Sequence, residues 1–153
     1  MHTRWFEEFT VGAQFESRGV TLTESQIVDF ALTYDPQRMH VNAAAAEAGP
    51  FGGLIASGFQ TLALSFRLFF DLGLVEKSNI VGPGMDEIRW LAPVRPGDTL
   101  KSVVEVLEAR ESRSKPDRGT VRFGFTVLNQ RGETVLTFQA ITIIRKRPGG
   151  DAD

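Results

Sequence analysis

The stretch Ser57-Gly58-Phe59-Gln60-Thr61-Leu62-Ala63-Leu64-Ser65-Phe66-Arg67-Leu68-Phe69-Phe70-Asp71-Leu72-Gly73 decides how this chain folds. Ser57 is a good helix N-cap, because its hydroxyl can accept a hydrogen bond from an early helix amide. Gly73 supplies a stop. Residues 58–72 therefore predict a helix, with Phe59, Leu62, Leu64, Phe66, Leu68 and Phe69 spread over most of its faces. A helix that is apolar nearly all round is normally surrounded by other structure. The apolar run 59–74 is broken by Gln60, Arg67 and Asp71. It is too short and too polar to cross a bilayer, so it reads as a buried core helix.

Towards the C-terminus the apolar period changes from helical to alternating. Residues 86–90 look extended, and Pro93-Val94-Arg95-Pro96-Gly97-Asp98 is a turn cluster. Residues 99–110 carry Val and Leu suited to a strand. After a polar turn over 112–119, Val121, Phe123, Phe125 and Val127 alternate with polar or small residues. Asn129-Gln130-Arg131-Gly132 is a hairpin turn, and 134–144 is a further strand rich in β-branched residues. Short turns between strands imply antiparallel pairing. The tail from Lys146, with Pro-Gly-Gly and two Asp, is expected to be mobile.

Towards the N-terminus, 10–15 reads as a loop turning at Gly12, followed by an extended piece through Leu22. Thr23 and Gln26 form a capping-box pattern. Ile27, Phe30, Ala31 and Tyr34 then share one helix face. Pro36 ends that helix and pushes Asp35 out of the helical conformation. Asn42 can cap a small helix over 43–48, which Gly49-Pro50 would close. The economical arrangement is α+β, one antiparallel sheet wrapping one long apolar helix. A single domain over residues 1–153 is expected.

Composition excludes several chemistries. The 153 residues include no Cys, so disulfides, thiolate nucleophiles and cysteine-rich metal sites are out. Of the two His, His2 sits at the N-terminus, which leaves His40 as the imidazole expected to have a fixed place and argues against a His-rich metal site. Seventeen basic and nineteen acidic residues, with no dense basic stretch, give no reason to bind nucleic acid. The first eight residues lack the apolar run of a secretory signal, and a reducing cytoplasm fits the missing cysteines.

Two segments carry candidate chemistry. Asp35 and His40 lie in Tyr34-Asp35-Pro36-Gln37-Arg38-Met39-His40, directly after a helix. A carboxylate and an imidazole held together can share a water and exchange protons with it. The same residues also read as a capping Asp beside a solvated His. At Ile55-Ala56-Ser57-Gly58 the helix presents its first amides, which lack intrahelical partners. The Gly58 and Phe59 amides could bind a carbonyl oxygen that gains negative charge. A plain Ser N-cap explains the same residues.

Taken together, these segments resemble the MaoC-like acyl dehydratases and (R)-specific enoyl-CoA hydratases. Asp35-Pro36-Gln37-Arg38-Met39-His40 looks like the family's D-x-[N/Q]-P-x-H segment. Gly53-Leu54-Ile55-Ala56-Ser57-Gly58 looks like its small-residue approach to the central helix. Pro93-Val94-Arg95-Pro96-Gly97-Asp98-Thr99-Leu100 is similar to its P-V-x-x-G-D-x-[LI] segment. The three stand in the family's order, and the likeness runs from about Phe6 to Arg145. Two departures stand out. Arg38 replaces the usual proline, which adds charge and motivates an acidic substrate. The helix hydroxyl that orients the Asp in many members has no match, because Phe66 stands there with Ser65 beside it.

The resemblance implies a hot-dog fold and a hydro-lyase that reversibly hydrates trans-2-enoyl thioesters to 3-hydroxyacyl thioesters. Asp35 is then the expected base on the attacking water, with His40 orienting that water and helping to protonate Cα. The Gly58 amide would stabilise the enolate. Gln37, Arg38, Ser57 and Phe59 are the expected substrate contacts, with the acyl chain in an apolar tunnel partly lined by the helix Phe residues. No cofactor or metal is expected, since CoA would be part of the substrate. Thioesterase activity, and acyl-thioester binding without catalysis, are the alternative readings. A homodimer or higher homo-oligomer, no membrane and a cytoplasmic location complete the expectation.

Overall fold

The alternation of Val121, Phe123, Phe125 and Val127 sends all four side chains to one face, where each is at most 2% exposed. They belong to β5 (Arg118–Leu128), the middle strand of the sheet. The structure is a computed structural model and describes residues 2–149. Its other strands are β1 (Gln14–Glu16), β2 (Val20–Thr21), β3 (Asn79–Trp90), β4 (Thr99–Glu111) and β6 (Thr134–Arg145). The sheet is antiparallel in the order β1-β4-β5-β6-β3, and β2 also pairs with β4. Adjacent long strands are joined by tight turns, which is why β4, β5 and β6 are neighbours in sequence and in space.

The helices are α1 (Glu24–Tyr34), α2 (Arg38–Val41), α3 (Ala43–Glu47) and α4 (Gly58–Phe70), preceded by a single 3-10 turn at Phe6–Glu8. α4 lies on the apolar face of the sheet. Its Phe69 packs on Phe123 and Phe125 with ring centroids 5.0 and 5.6 Å away, and Phe125 stacks on Phe138 at 4.2 Å. Each fully buried ring contributes roughly 1.5–3 kcal/mol. Ser102 Oγ on β4 donates to the Ser65 carbonyl at 3.0 Å, tying helix to sheet with a polar pin.

Several expectations need correction. α4 packs on the sheet and, through Gln60 Nε2 donating to the Gln26 carbonyl at 3.0 Å, on α1, but part of its surface stays open. Thr61, Ser65, Leu68 and Phe69 face inward, while Phe59 is 62% and Phe70 38% exposed. A single sheet layer can cover only one side of a helix. On α1 the buried face is Ile27 and Ala31, whereas Tyr34 is 71% exposed and rests on Phe30 at 5.1 Å. β3 starts at Asn79, well before residue 86. Gly82, Pro83 and Gly84 disguise it, and its register shifts and proline are tolerated because it is an edge strand. The tail is anchored at its start, with Lys146 N–H donating to the Asp117 carbonyl at 2.8 Å and Arg147 paired to Glu8 at 2.9 Å. Residues 150–153, where the mobile-tail expectation continues, lie outside the described residues. Among the described residues no helix is long and apolar enough to cross a membrane.

Candidate active site

Local sequence places the carboxylate first. The capping box of Thr23 and Gln26 starts α1 as expected. Pro36 ends it, leaving Asp35 as C-cap at φ −155° and ψ 69°, with its N–H on the Ala31 carbonyl at 2.9 Å. The unexpected short helix α2 then turns the chain back and lifts His40 towards Asp35.

His40 is 3% exposed. Its Nδ1 lies 2.7 Å from the Ile55 carbonyl, which can only accept, so Nδ1 carries a proton. The other ring nitrogen, Nε2, faces Asp35 Oδ2 at 3.4 Å. Asp35 receives donors on both oxygens. Ser57 Oγ donates to Oδ2 at 2.7 Å, and Gln37 Nε2 donates to Oδ1 at 2.7 Å. The Ser57 bond and then the Gln37 bond hold the Asp35 carboxyl below its ordinary value; burial opposes them, and the His40 charge adds the smallest lowering effect. Asp35 is therefore ionised at neutral pH.

The pair opens into a cleft of about 460 Å³ with mostly apolar walls, including Ile55, Ala56, Val94, Phe59 and Trp90. Gly58 lies on the same wall and presents a first-turn amide of α4. The Ala56 N–H donates to the Val94 carbonyl at 2.7 Å, so the Pro-Val-Arg-Pro-Gly-Asp turn braces the approach to α4. That turn is itself tied, because Asp98 Oδ2 accepts the Arg95 N–H at 2.8 Å.

Asp35, His40 and Gly58 are thus brought together around one space. Other expected positions fall differently. The Phe59 amide is occupied by Ser57 Oγ at 3.2 Å, which leaves Gly58 as the candidate oxyanion donor. Ser57 is 0% exposed, so its hydroxyl serves Asp35 and the helix cap rather than contacting a bound molecule. Gln37 borders the cleft with its amide committed to Asp35. Arg38 is exposed and lies outside the cleft wall, because the first residue of α2 points away when the third points in. Phe59 stands at the mouth, and it is the only α4 phenylalanine on the wall; Phe66 and Phe69 pack into the core instead.

Two features escaped the sequence. The hydroxyl on Asp35 comes from the cap of α4, not from its interior, where Ser65 Oγ is spent on the Thr61 carbonyl. The cap pattern signalled Ser57, but its partner lies 22 positions away. Trp90 also lines the cleft and donates its indole N–H to the Gly58 carbonyl at 3.0 Å. No local pattern marks it.

Comparison with known proteins follows the same lines. Residues 7–128 match the family model described as MaoC like domain. An uncharacterized protein of Bacillus subtilis, YdeM, is 34% identical over 140 residues, covering 92% of this chain and 98% of that protein. The 3-hydroxyacyl-thioester dehydratase Z of Mycobacterium tuberculosis is 33% identical, with 85% of each chain covered. The crystal structure of a MaoC-like dehydratase from Rhodospirillum rubrum superposes with a TM-score of 0.88 at 37% identity, over 95% of this chain and 99% of that one. The sheet wrapped on one long helix is the hot-dog fold.

Proposed function

We propose, for a chain that belongs to the MaoC-like domain family, that it reversibly hydrates trans-2-enoyl thioesters to 3-hydroxyacyl thioesters at Asp35 and His40. The observation that carries this reading is the 3.4 Å approach of His40 Nε2 to Asp35 Oδ2 at the wall of an apolar cleft. A water held there has an acceptor on each side. The dehydratase among the relatives acts on the same class of bond, run in reverse.

In the hydration direction, the water oxygen bonds to Cβ, the Cα=Cβ electrons move towards the thioester carbonyl, and an enolate forms. The Gly58 N–H donates to that developing oxyanion. In the neutral form of the ring, where the Nδ1 bond to Ile55 leaves Nε2 as the acceptor, His40 Nε2 takes the water's proton and returns a proton to Cα. Asp35 aligns the water and stabilises the imidazolium beside it. This exchanges the roles first expected of the pair. A carboxylate with donors on both oxygens and a lowered proton affinity is better suited to orient than to abstract. General acid–base assistance of this kind contributes about 10²–10⁴-fold, and one oxyanion donor about 10²–10³-fold. CoA enters only as part of the substrate.

The proposal includes a second copy of this chain. β3 is an uncovered sheet edge, and Phe59, Trp90 and Leu91, which are 49–62% exposed, cluster at the cleft mouth. Such an edge and patch favour pairing, and sedimentation as a stable monomer would count against it. The function is tested by the loss of enoyl absorbance over a panel of short, long, branched and dicarboxylic enoyl-CoAs. Hydration of at least one member is expected. Thiol release without hydration, or binding with no turnover of any member, overturns the reading.

A further inference from the structure

Trp90 has a location that the reaction as described does not use. It ends β3, is 49% exposed, and takes no part in the main hydrophobic core. Its indole N–H nevertheless turns to the Gly58 carbonyl at 3.0 Å rather than to solvent. The approach is close. A Cβ added at Gly58 would sit 2.6 Å from Trp90 Cε2 and 2.7 Å from its Nε1. Glycine at 58 therefore lets the ring lie this close, apart from any need for space at a bound carbonyl.

The Gly58 carbonyl and the Phe59 N–H belong to one peptide group. That N–H donates to Ser57 Oγ at 3.2 Å, and Ser57 Oγ in turn donates to Asp35 Oδ2 at 2.7 Å. The donors line up without a break: indole N–H to peptide carbonyl, the same peptide's N–H to hydroxyl, hydroxyl to carboxylate. A donor on a peptide oxygen polarises the group and strengthens its N–H as a donor, and the strengthening passes along a chain in one direction. Thr61 Oγ1 adds a second side-chain donor to the same carbonyl at 3.0 Å.

We infer that Trp90 is a positioning residue for Asp35, acting through this hydrogen-bonded run across one peptide of α4. The inference deepens the hydratase reading and takes from it the importance of the Asp35 carboxylate. Trp90 orients the first turn of α4, keeps the Ser57 hydroxyl directed at Oδ2, and so holds the carboxylate ionised at the angle that faces His40. The titratable group facing Asp35 is His40 on α2. Ser57 from the α4 cap and Gln37 from the turn face it as neutral donors.

The test uses Trp90→Phe, which keeps an aromatic ring and removes the N–H, together with Ser57→Ala and the double variant. Carbon-13 titration of the Asp35 carboxyl is the readout that does not depend on turnover. In Trp90→Phe the midpoint is expected to rise by a few tenths of a pH unit, and more in Ser57→Ala. The double variant should rise no further than Ser57→Ala alone, because the run passes through Ser57. On an enoyl-CoA that the wild type hydrates, kcat should fall several-fold with KM little changed. An Asp35 midpoint in Trp90→Phe equal to wild type, or shifts that add in the double variant, would overturn the inference. If wild type turns over no enoyl thioester, the hydratase reading fails while the titration still decides the role of Trp90.

Discussion

Ser57→Ala removes one oxygen that does two things, and its cost can be worked through. Ser57 Oγ caps α4 by accepting the Phe59 N–H, and it donates to the Asp35 carboxylate. Losing a side-chain N-cap costs about 1 kcal/mol. Losing a hydrogen bond to a charged group costs about 1.5–3 kcal/mol. Ser57 is 0% exposed, so water does not readily replace either bond. The expected loss at neutral pH is therefore about 3 kcal/mol, or roughly 6–12 °C in melting temperature for a chain of this length. The two parts separate with pH. The folded-state pKa of Asp35 is depressed below the ordinary 3.8, with the Ser57 bond as the largest cause. A depressed carboxylate contributes stability that is present above its unfolded pKa and is lost as pH falls through its folded pKa. The gap between wild type and Ser57→Ala should thus be widest near pH 7. Below the carboxylate range it should contract towards the cap contribution of about 1 kcal/mol. Urea unfolding at neutral pH and at the lowest pH where wild type stays folded measures both. A gap that is the same at the two pH values would refute the carboxylate part of the reasoning, and a neutral-pH gap under about 1 kcal/mol would refute all of it.

Asp35→Asn should lower hydratase turnover on crotonyl-CoA by at least about 10²-fold while the chain stays folded; circular dichroism with an enoyl-absorbance assay checks both, and near-normal turnover would sink the assignment. Phe125→Ala opens a cavity beneath Phe69 and Phe138 and should cost about 3–5 kcal/mol in urea unfolding. Gly119→Ala should destabilise by about 1–3 kcal/mol, because the new methyl would collide with the Phe6 ring that packs on β5; a melting temperature equal to wild type would show that Phe6 can move aside.

Local chemistry made much of this molecule legible in advance. Thr23 with Gln26, Pro36, Asn42 and Ser57 bound the helices because each acts within a few residues of itself. The alternation from Val121 to Val127 marks a strand buried on one face because side chains on a strand alternate by rule. β3 was half hidden because Gly82-Pro83-Gly84 carries loop chemistry, and only its position at the sheet edge makes a proline harmless there. The residues on the open side of α4, Phe59 and Phe70, are hidden in the sequence for a related reason. Apolar residues on all faces of a helix do not say how many layers the rest of the chain can supply.

At the site the division is the same. Asp35, His40 and Gly58 stand out by residue type and short spacing, and the motif resemblance singles them out as a candidate site. Which atom each partner uses was decided by contacts between distant segments. The Ile55 carbonyl sets the His40 tautomer from 15 positions away. Ser57 reaches Asp35 over 22 positions, and Trp90 reaches Gly58 over 32. Arg38, adjacent to the motif and charged, turned out to face solvent, because the pitch of a four-residue helix separates it from His40. Composition and local pattern determined that a carboxylate, an imidazole and a helix start lie close along the chain, and the resemblance of their motifs to a known family implied the hot-dog fold. Only the folded packing, where a hydrogen bond depends on distance in space and not on distance along the chain, decided which donors hold that pair ready.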